Sequence, residues 1–371
     1  MMFPESLSLL LKHRSEKRSF RALKTTYPGI DFSSNDYLGF SSQGILSAEI
    51  EKLQPTKHTG STGSRLISGN SVLFEEIEKD IAVFHHASSA LLFNSGYDAN
   101  LGLLSSIPQK ADLILSDDLI HASLIDGIRL SYATNYKFRH NDVASLTELV
   151  ERHRASFKEI YVVVESVYSM DGDCAPLKAY TELCGKYNLH LIVDEAHAIG
   201  VFGNKGKGLC AEHHIEEACF ARIYTYGKAM GCHGAAIVGN HEALRDYLIN
   251  FSRSFIYTTA MPEHSLLSIK AAYNLLEQTP EIDKLKKNIQ YFRSLLSNSS
   301  LIIESNSAIH CRFVSGNDHV EVLENECMHH NLFVKAIKSP TVKEGQERLR
   351  ICLHAFNTKE EMDLLAKLIR S

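Results

Sequence analysis

Several hallmarks of nucleic-acid-binding, membrane and secreted proteins are absent from the 371-residue sequence. A formal net charge of −5 and the lack of a basic tail give no electrostatic reason to expect a nucleic-acid partner. No apolar run approaches the roughly 20 residues that a membrane-spanning helix needs. The eight cysteines include no pair spaced by two residues, and the N-terminal residues show no basic start followed by an apolar run. We therefore expect a cytoplasmic protein without a nucleic-acid or membrane partner.

The sequence also lacks the phosphate-binding loop of nucleoside-triphosphate enzymes, which reads glycine, any four residues, glycine, lysine and then serine or threonine. This absence bears on Asp194-Glu-Ala-His197, which has the letters of a DEAH box. Without the loop or a basic surface, a nucleotide-driven protein is the weaker alternative. Three histidine doublets lack a second ligand pair at zinc spacing, so we predict no metal site.

Short apolar runs alternate with helical periodicity through the middle of the chain. The runs lie at 113–116, 136–138, 160–165 and 189–194, and the predicted helices between them at 121–131, 143–154 and 177–187. This alternation predicts an α/β fold with a mostly parallel sheet covered by helices.

The two ends of the chain have a different character from its middle. An amphipathic helix is predicted over residues 4–24. After Pro262, helices and strands near 308–314 and 348–353 predict a smaller α+β lobe. We therefore divide the chain into an N-terminal segment, a large domain and a C-terminal small domain, at 1–45, 46–262 and 263–371.

Lys228 follows an apolar, β-rich run and is surrounded by small residues that let another group approach its amine. Upstream, a predicted buried strand ends in Asp194, and His197 comes shortly after it. Ligands of open α/β sheets bind at this carboxyl edge. A lysine for a Schiff base and an aspartate for a pyridine nitrogen are the protein groups that pyridoxal phosphate needs. The sequence therefore predicts a pyridoxal-phosphate site at this edge.

A second feature suits the phosphate of such a cofactor. The turn Asn94-Ser-Gly-Tyr97 leads from a predicted strand straight into a helix. Such a turn presents free backbone N–H groups and the positive end of the helix dipole. We therefore expect an anion at Gly96 and Tyr97.

Motifs along nearly the whole chain resemble one family. They are Phe32-Ser-Ser-Asn-Asp-Tyr-Leu-Gly39, Gly63-Ser-Arg-Leu-Ile-Ser-Gly69, Asn94-Ser-Gly-Tyr97, His121-Ala-Ser-Leu124, His140-Asn-Asp142, Tyr168-Ser-Met-Asp-Gly-Asp173, Asp194-Glu-Ala-His197, Thr225-Tyr-Gly-Lys228, Pro340-Thr-Val342 and Arg348-Leu-Arg350. By these motifs the chain is similar to the α-oxoamine synthases, which are pyridoxal-phosphate enzymes of fold type I, the aspartate-aminotransferase fold. The resemblance implies that residues 46–262 bind the cofactor.

The resemblance assigns roles around the cofactor to individual residues. Lys228 would form the internal Schiff base and move the proton at the substrate α-carbon. Asp194 would pair with the protonated ring nitrogen, His121 would lie over the ring face, and His197 would hydrogen-bond the ring oxygen. The residues implied to contact the cofactor are Gly96, Tyr97, His121, Ser169, Asp194, His197, Thr225 and Lys228.

The resemblance also implies a substrate site and a partner. Arg350 would clamp the amino-acid carboxylate, with Asn35 nearby, and His121 would contact substrate as well. Arg21 and Thr341 match substrate-contacting positions, which makes 1–45 a lid segment. The stretch 257–262 matches a segment that reaches the neighbouring subunit's cofactor, so a homodimer with shared active sites is expected.

The implied reaction joins L-alanine to an acyl thioester, pimeloyl-CoA or a pimeloyl carrier protein, and gives 8-amino-7-oxononanoate, CoA and CO2 for biotin biosynthesis. The alternative within the family is glycine with acetyl-CoA, or another acyl-CoA, because 98–100 and 126–130 also resemble the glycine-using relative. The chain departs from the family in a short segment after Tyr27, at Ala198-Ile199 and at Lys338-Ser339. These departures leave the length of the acyl group and its carrier open.

Overall fold

The computed structural model describes residues 3–23, 25, 29–53, 58–296 and 302–370. They form two compact units. The large unit comprises residues 36–169 and 174–282, and the small unit comprises residues 1–35, 170–173 and 283–371. The predicted boundaries lay after residues 45 and 262, whereas the units divide the chain mainly after 35 and 282. Tyr27, where the shortened segment was noted, lies outside the described residues.

The middle of the chain follows the predicted alternation of strands and helices. The strands are β1 (Ile30–Asp31), β2 (Ser89–Phe93), β3 (Leu113–Asp117), β4 (Thr134–Phe138), β5 (Ile160–Glu165), β6 (His190–Asp194), β7 (Cys219–Thr225), β8 (Ala235–Gly239), β9 (Ile309–Phe313), β10 (Leu332–Phe333), β11 (Lys335–Ile337) and β12 (Arg348–Cys352). The α-helices are α1 (Glu5–Glu16), α2 (Ile45–Ile50), α3 (Val72–Phe84), α4 (Gly96–Ser106), α5 (Ala122–Leu130), α6 (Val143–His153), α7 (Leu177–Tyr187), α8 (Leu209–Glu212), α9 (Glu242–Phe251), α10 (Arg253–Ile256), α11 (Glu263–Leu276), α12 (Glu281–Leu296), α13 (Asn317–His329) and α14 (Lys359–Arg370). Every strand and helix predicted between residues 113 and 194 is confirmed, with ends within two residues of those expected.

The large unit is built on one sheet with the strand order β2-β8-β7-β6-β5-β3-β4. The five strands from β7 to β4 are parallel to one another. All residues of β3 and β5 are buried, as expected for strands with helices on both faces of the sheet. Because these strands are parallel, the carboxyl ends of β3, β5, β6 and β7 meet at one edge of the sheet.

Strand β8 was not predicted from the sequence. It runs antiparallel between β7 and β2, and all five of its residues are buried. Its sequence, Ala-Ala-Ile-Val-Gly, is short and without alternation, so periodicity cannot distinguish it from a buried turn of helix. Only its pairing with strands distant in the sequence makes it a strand.

The small unit contains an antiparallel sheet of three strands in the order β11-β12-β9. Strands β1 and β10 form a separate parallel pair. The predictions near 308–314 and 348–353 are confirmed as β9 and β12. The other three strands have only two or three residues each, which is too short for a periodic pattern.

The N-terminal helix is shorter than predicted. Helix α1 ends at Glu16 rather than near residue 24. The chain turns there because Arg18 takes a positive φ of 48° and the N–H of Ser19 bonds to the carbonyl of Arg14, an arrangement of the Schellman type. Arg21 therefore lies in irregular chain beyond the helix. Among the described helices, none has both the length and the apolar character needed to cross a membrane.

Segment 170–173 is fixed in the small unit by its backbone at Gly172. The hydroxyls of Ser305 and Ser307 each donate to the Gly172 carbonyl at 2.7 Å, and Arg348 pairs with Asp171. Gly172 has a φ of +76°, and an added Cβ would lie 2.1 Å from the carbonyl oxygen of Ile309. No side chain fits there without moving the backbone.

We expect Gly172→Ala to lower the free energy of unfolding by about 2–4 kcal/mol, because a left-handed conformation and a backbone clash add together. Chemical denaturation measures it. Gly185→Ala is the matched control, since a Cβ there meets nothing within 4 Å and Gly185 lies inside α7. The control is expected to be neutral or stabilising by about 0.5–1 kcal/mol. Equal stability of Gly172→Ala and wild type would contradict the prediction.

Candidate active site

Polar side chains converge at the carboxyl edge of the large unit's sheet. Glu165 ends β5, Asp194 ends β6 and Thr225 ends β7, while His121 follows β3 and Lys228 follows β7. Strands β3, β5, β6 and β7 are consecutive neighbours in the sheet. The topology therefore gathers residues that are more than a hundred positions apart in the sequence.

Lys228 lies in hydrogen-bonding contact with His197. The Lys228 Nζ is 2.7 Å from the His197 Nε2, and the other ring nitrogen, Nδ1, is 2.7 Å from the Tyr37 hydroxyl. His197 is buried and Lys228 is half-buried. When the lysine ammonium donates to Nε2, the ring proton is on Nδ1 and faces Tyr37. Tyr37 lies in the motif Phe32–Gly39 but had no predicted role, because nothing in the sequence links it to a histidine 160 positions away.

Asp194 is buried and both of its carboxylate oxygens accept hydrogen bonds. Its Oδ1 accepts the N–H of Ala196 at 2.9 Å, and its Oδ2 accepts the side-chain amide of Asn100 at 2.8 Å. Each carboxylate oxygen is thus held by one N–H donor. The same amide nitrogen of Asn100 also donates to the Ser123 hydroxyl at 3.0 Å. Asn100 and Ser123 had no predicted role.

His121 joins this network from the start of α5. Its Nδ1 is 2.7 Å from the Ser123 hydroxyl and caps the helix by accepting the N–H of Ser123 at 3.2 Å. The residue as a whole is exposed, and its Nδ1 is held by these two contacts with Ser123. Partial desolvation lowers the pKa of His121; the Asp194 charge opposes this, and the Lys228 charge adds to it. His121 is therefore expected to be a neutral imidazole at neutral pH.

The N-terminus of α4 lies against the end of β7. Ser95 caps this helix, and its side chain accepts the N–H of Asp98. A Cβ on Gly96 would lie 2.2 Å from the Thr225 hydroxyl oxygen, so the glycine is what allows the helix end and the strand end to meet. The first N–H groups of a helix have no partner within it, which leaves those of Gly96 and Tyr97 for an anion. The Tyr97 side chain itself is half exposed and its hydroxyl donates to Asp126.

Ser169 is half-buried and stands directly before segment 170–173. The other predicted site residues are in the small unit. The Arg350 guanidinium donates to the Asn35 side-chain oxygen at 3.0 Å, and Arg350 is buried on β12. Arg21 donates to the Thr341 hydroxyl at 3.1 Å, and both residues are exposed. Four of the five residues that were expected to bind substrate are thus hydrogen-bonded in two pairs, and the fifth, His121, lies in the large unit.

Glu195, the second letter of the DEAH sequence, has a structural role. It is fully buried, and its carboxylate accepts the backbone N–H groups of Leu209 at 2.8 Å and Cys210 at 2.7 Å. Burial raises the pKa of Glu195, and those N–H groups oppose the rise. The carboxylate anchors the turn that begins α8. Within the described ranges, no three histidine, cysteine or acidic side chains are grouped to hold a metal ion.

Known proteins resemble this chain along its whole length. A family model for aminotransferase class I and II matches residues 27–369. An 8-amino-7-oxononanoate synthase of Emericella nidulans is 42% identical over 394 residues, which cover 98% of this chain and 94% of that protein. The 8-amino-7-oxononanoate synthase 2 of Bacillus subtilis is 37% identical, covering 92% of this chain and 87% of that protein.

Solved structures agree in fold. A serine palmitoyltransferase of Sphingomonas wittichii aligns with a TM-score of 0.90 at 25% identity, covering 100% of this chain and 98% of that one. An 8-amino-7-oxononanoate synthase of Francisella tularensis aligns with a TM-score of 0.76 at 30% identity, covering 92% and 97%. The predicted fold type and the resemblance read from the motifs are confirmed. The match over residues 27–369 and the full-length identities show that the chain belongs to the aminotransferase class I and II family.

Proposed function

We propose that the protein is a pyridoxal-phosphate-dependent acyltransferase of biotin biosynthesis, which condenses L-alanine with a pimeloyl thioester and releases CO2 to give 8-amino-7-oxononanoate. The observation that carries the proposal is the placement of Lys228 and Asp194 at one edge of the sheet, with His197 fixed between Tyr37 and the lysine amine. The names of the relatives given above support the product, 8-amino-7-oxononanoate. The substrates are those that the resemblance to the α-oxoamine synthases implies.

The described residues fit pyridoxal phosphate. The Lys228 amine can bind its aldehyde, and the Asp194 carboxylate, with two N–H donors, suits a protonated ring nitrogen. The N-terminus of α4 at Gly96, beside Thr225, suits its phosphate. Buried side-chain oxygens of Asn100 and Glu165 have no hydrogen-bond partner among the described residues, which fits a site that binds a polar ligand. When bound, the cofactor withdraws electrons from the substrate α-carbon.

The protein's own groups bind, orient and move protons around that carbon. The Lys228 amine takes the α-proton of the amino acid and later returns a proton to the product. His197 keeps the amine directed, because its other nitrogen is fixed by Tyr37. Neutral His121 can cover the substrate without adding a positive charge. Ser169 and Thr225 supply further hydroxyls to the cofactor in this proposal.

Arg350 is proposed to bind the substrate carboxylate with Asn35, and Arg21 with Thr341 to bind the acyl end as part of the N-terminal lid. We expect Arg350→Lys to raise the KM for L-alanine by roughly 10–100-fold with a smaller change in kcat, because a lysine cannot make a bidentate contact. Steady-state kinetics at varied L-alanine measure this. Arg348→Lys is the matched control on the same strand, since Arg348 pairs with Asp171 instead. An unchanged KM in Arg350→Lys, or an equal rise in KM in the control, would contradict the assignment of Arg350 to the substrate carboxylate.

The function is tested by thiol release. The purified protein is mixed with L-alanine or glycine and with pimeloyl-CoA, pimeloyl carrier protein, acetyl-CoA, succinyl-CoA or a long-chain acyl-CoA. Selective turnover of L-alanine with pimeloyl-CoA is the expected result. A preference for glycine with acetyl-CoA would instead support the alternative reaction, which joins those two substrates. Turnover only with pimeloyl carrier protein would change the donor and keep the reaction. A colourless protein that borohydride does not bleach would exclude the cofactor chemistry altogether.

A homodimer with shared sites is part of the proposal. Residues 63–69 pack against 255–260, since the N–H of Ala260 bonds to the carbonyl of Gly63 at 3.0 Å. On this surface Ile67 is 85% exposed and Tyr257 is 73% exposed. Large apolar side chains exposed on two adjoining segments support a protein interface at this surface. The cytoplasmic location stays a prediction and is supported by eight cysteines that are all free.

We expect Ile67→Glu to shift the protein from dimer toward monomer by at least tenfold in dissociation constant, because a buried charge opposes association. Analytical ultracentrifugation over a dilution series measures this. Val322→Glu, at a similarly exposed valine of the small unit, is the matched control. A wild-type monomer, or a dimer indifferent to Ile67→Glu, would contradict the proposed interface.

A further inference from the structure

Glu165 is a buried carboxyl group at the candidate site that the proposed chemistry does not use. It is the last residue of β5 and stands in register with Asp194 on the adjacent parallel strand β6. The two residues are 3% and 4% exposed. Two neighbouring carboxyl groups with so little water cannot both ionise without a large electrostatic penalty. One of them must therefore retain its proton over a wide pH range.

The distribution of hydrogen-bond donors decides which one does. Asp194 has an N–H donor on each oxygen, from Ala196 and from Asn100. Glu165 has a buried Oε1 without any hydrogen-bond partner in the described part of the chain. Since donors stabilise the charged form, Glu165, whose Oε1 has no donor among the described residues, is the carboxyl group that keeps the proton.

The charged groups around Glu165 favour the same assignment. Asp194 faces it from β6 and Asp117 from β3, and both oppose its ionisation. Lys228, after β7, and the backbone N–H of His121, before α5, favour ionisation. Burial is the largest influence, and with Asp194 it raises the pKa of Glu165 well above its ordinary value of 4.5.

We propose that Glu165 is a positioning residue that remains a neutral acid, so that Asp194 presents the negative charge to the cofactor's ring nitrogen while Glu165 supports the His121 backbone. This inference rests on the proposed function. It also explains the network around His121, whose backbone lies beside Glu165 and whose ring is connected to Asp194 through Ser123 and Asn100. His121 and Asp194, which would contact the cofactor, are thereby held in one hydrogen-bonded network.

Glu165→Gln tests the proposal because it replaces a neutral acid by a neutral amide of the same shape. We expect the dissociation constant for pyridoxal phosphate, titrated by absorbance into cofactor-free protein, to stay within about threefold of wild type. Asp194→Asn is expected to weaken binding by at least about 30-fold, because it removes the charge at the ring nitrogen. Glu195→Gln is the matched buried control; its amide would face two backbone N–H groups, so it is expected to lower the melting temperature.

A second measurement needs no cofactor. Because the pKa of Glu165 is higher in the folded than in the unfolded protein, the contribution of Glu165 to wild-type stability falls as the pH rises above the unfolded value near 4.5. Glu165→Gln lacks this loss. The melting temperature of the cofactor-free variant minus that of wild type should therefore increase, by about 2 °C or more between roughly pH 5 and pH 8. Glu165→Met, also uncharged, gives the same comparison where the glutamine variant does not fold.

The proposal is overturned when Glu165→Gln loses the cofactor as severely as Asp194→Asn, since Glu165 would then be an anion that pairs with Lys228 or the ring. A melting-temperature difference that is flat or shrinks with rising pH also overturns it. Failure of the proposed function is distinguishable, because wild type itself would then neither bind pyridoxal phosphate nor release thiol. The pH comparison on cofactor-free protein would still report the protonation state of Glu165.

Discussion

Lys228→Ala is expected to reduce turnover by roughly 10⁴-fold and to leave no covalently held cofactor. The substitution removes both the amine that binds the cofactor and the base that moves the α-proton. It also leaves His197 without the partner at 2.7 Å, although Tyr37 still fixes that ring. Borohydride reduction followed by peptide mass spectrometry should find the cofactor on the peptide that contains Lys228 in wild type and nowhere in the variant.

Lys270→Ala is the control for this result, since Lys270 is another half-buried lysine of the large unit, on α11. Its activity and its borohydride label should match wild type. The assignment of Lys228 would be wrong if the alanine variant kept more than about one hundredth of wild-type turnover, because general base catalysis alone is worth more than that. A label on a different lysine would lead to the same conclusion.

Asp194→Asn is expected to lower kcat/KM by roughly 10³-fold while the protein stays folded, because the preorganised charge at the ring nitrogen is lost. The fold survives since the new amide oxygen can still accept the N–H of Ala196. The Asn100 amide can turn its Oδ1, which has no hydrogen-bond partner among the described residues, toward the new donor. The cost to stability is therefore limited to about 1–3 kcal/mol.

Asp112→Asn serves as the control, since Asp112 is equally buried in the large unit and accepts the N–H of Gln109 at 2.8 Å. We expect it to reduce stability without a specific effect on kcat/KM. Thermal melts and steady-state kinetics on both variants separate the two effects. A fall in kcat/KM of less than about tenfold in Asp194→Asn would mean that catalysis does not require this carboxylate at the ring nitrogen.

Apolar runs and helical periodicity in the sequence predicted the elements whose formation depends on nearby residues. The apolar runs of β3, β5 and β6 follow from burial on both faces, and the intervening helices follow from their periodicity. Strand β8 could not be recognised, because a run of five small and apolar residues carries no periodic signal. The predicted length of helix α1 was too great, because the left-handed residue after its end is Arg18 rather than the glycine that usually marks a helix end.

The candidate site likewise contains residues that the sequence predicted and residues that it could not predict. Lys228, Asp194 and His197 could be proposed from residue type and position after predicted strands. Tyr37 and Asn100 could not, because each meets its partner only through chain folding, over 160 and 94 positions respectively. Glu165 could be grouped with other polar residues at a strand end but given no role, because its importance comes from the register that sets it beside Asp194.

The sequence by itself determined the kind of protein: the parallel sheet, the lysine and aspartate that define the cofactor chemistry, and the family, whose motifs extend from Phe32 to Arg350. The tertiary structure decided which neighbours tune those groups: Tyr37 on His197, Asn100 on Asp194, and Glu165 beside them. The physical reason is that residue type sets what a group can do, whereas burial, hydrogen-bond donors and nearby charges set its ionisation and direction. Those depend on distances that only the folded chain defines.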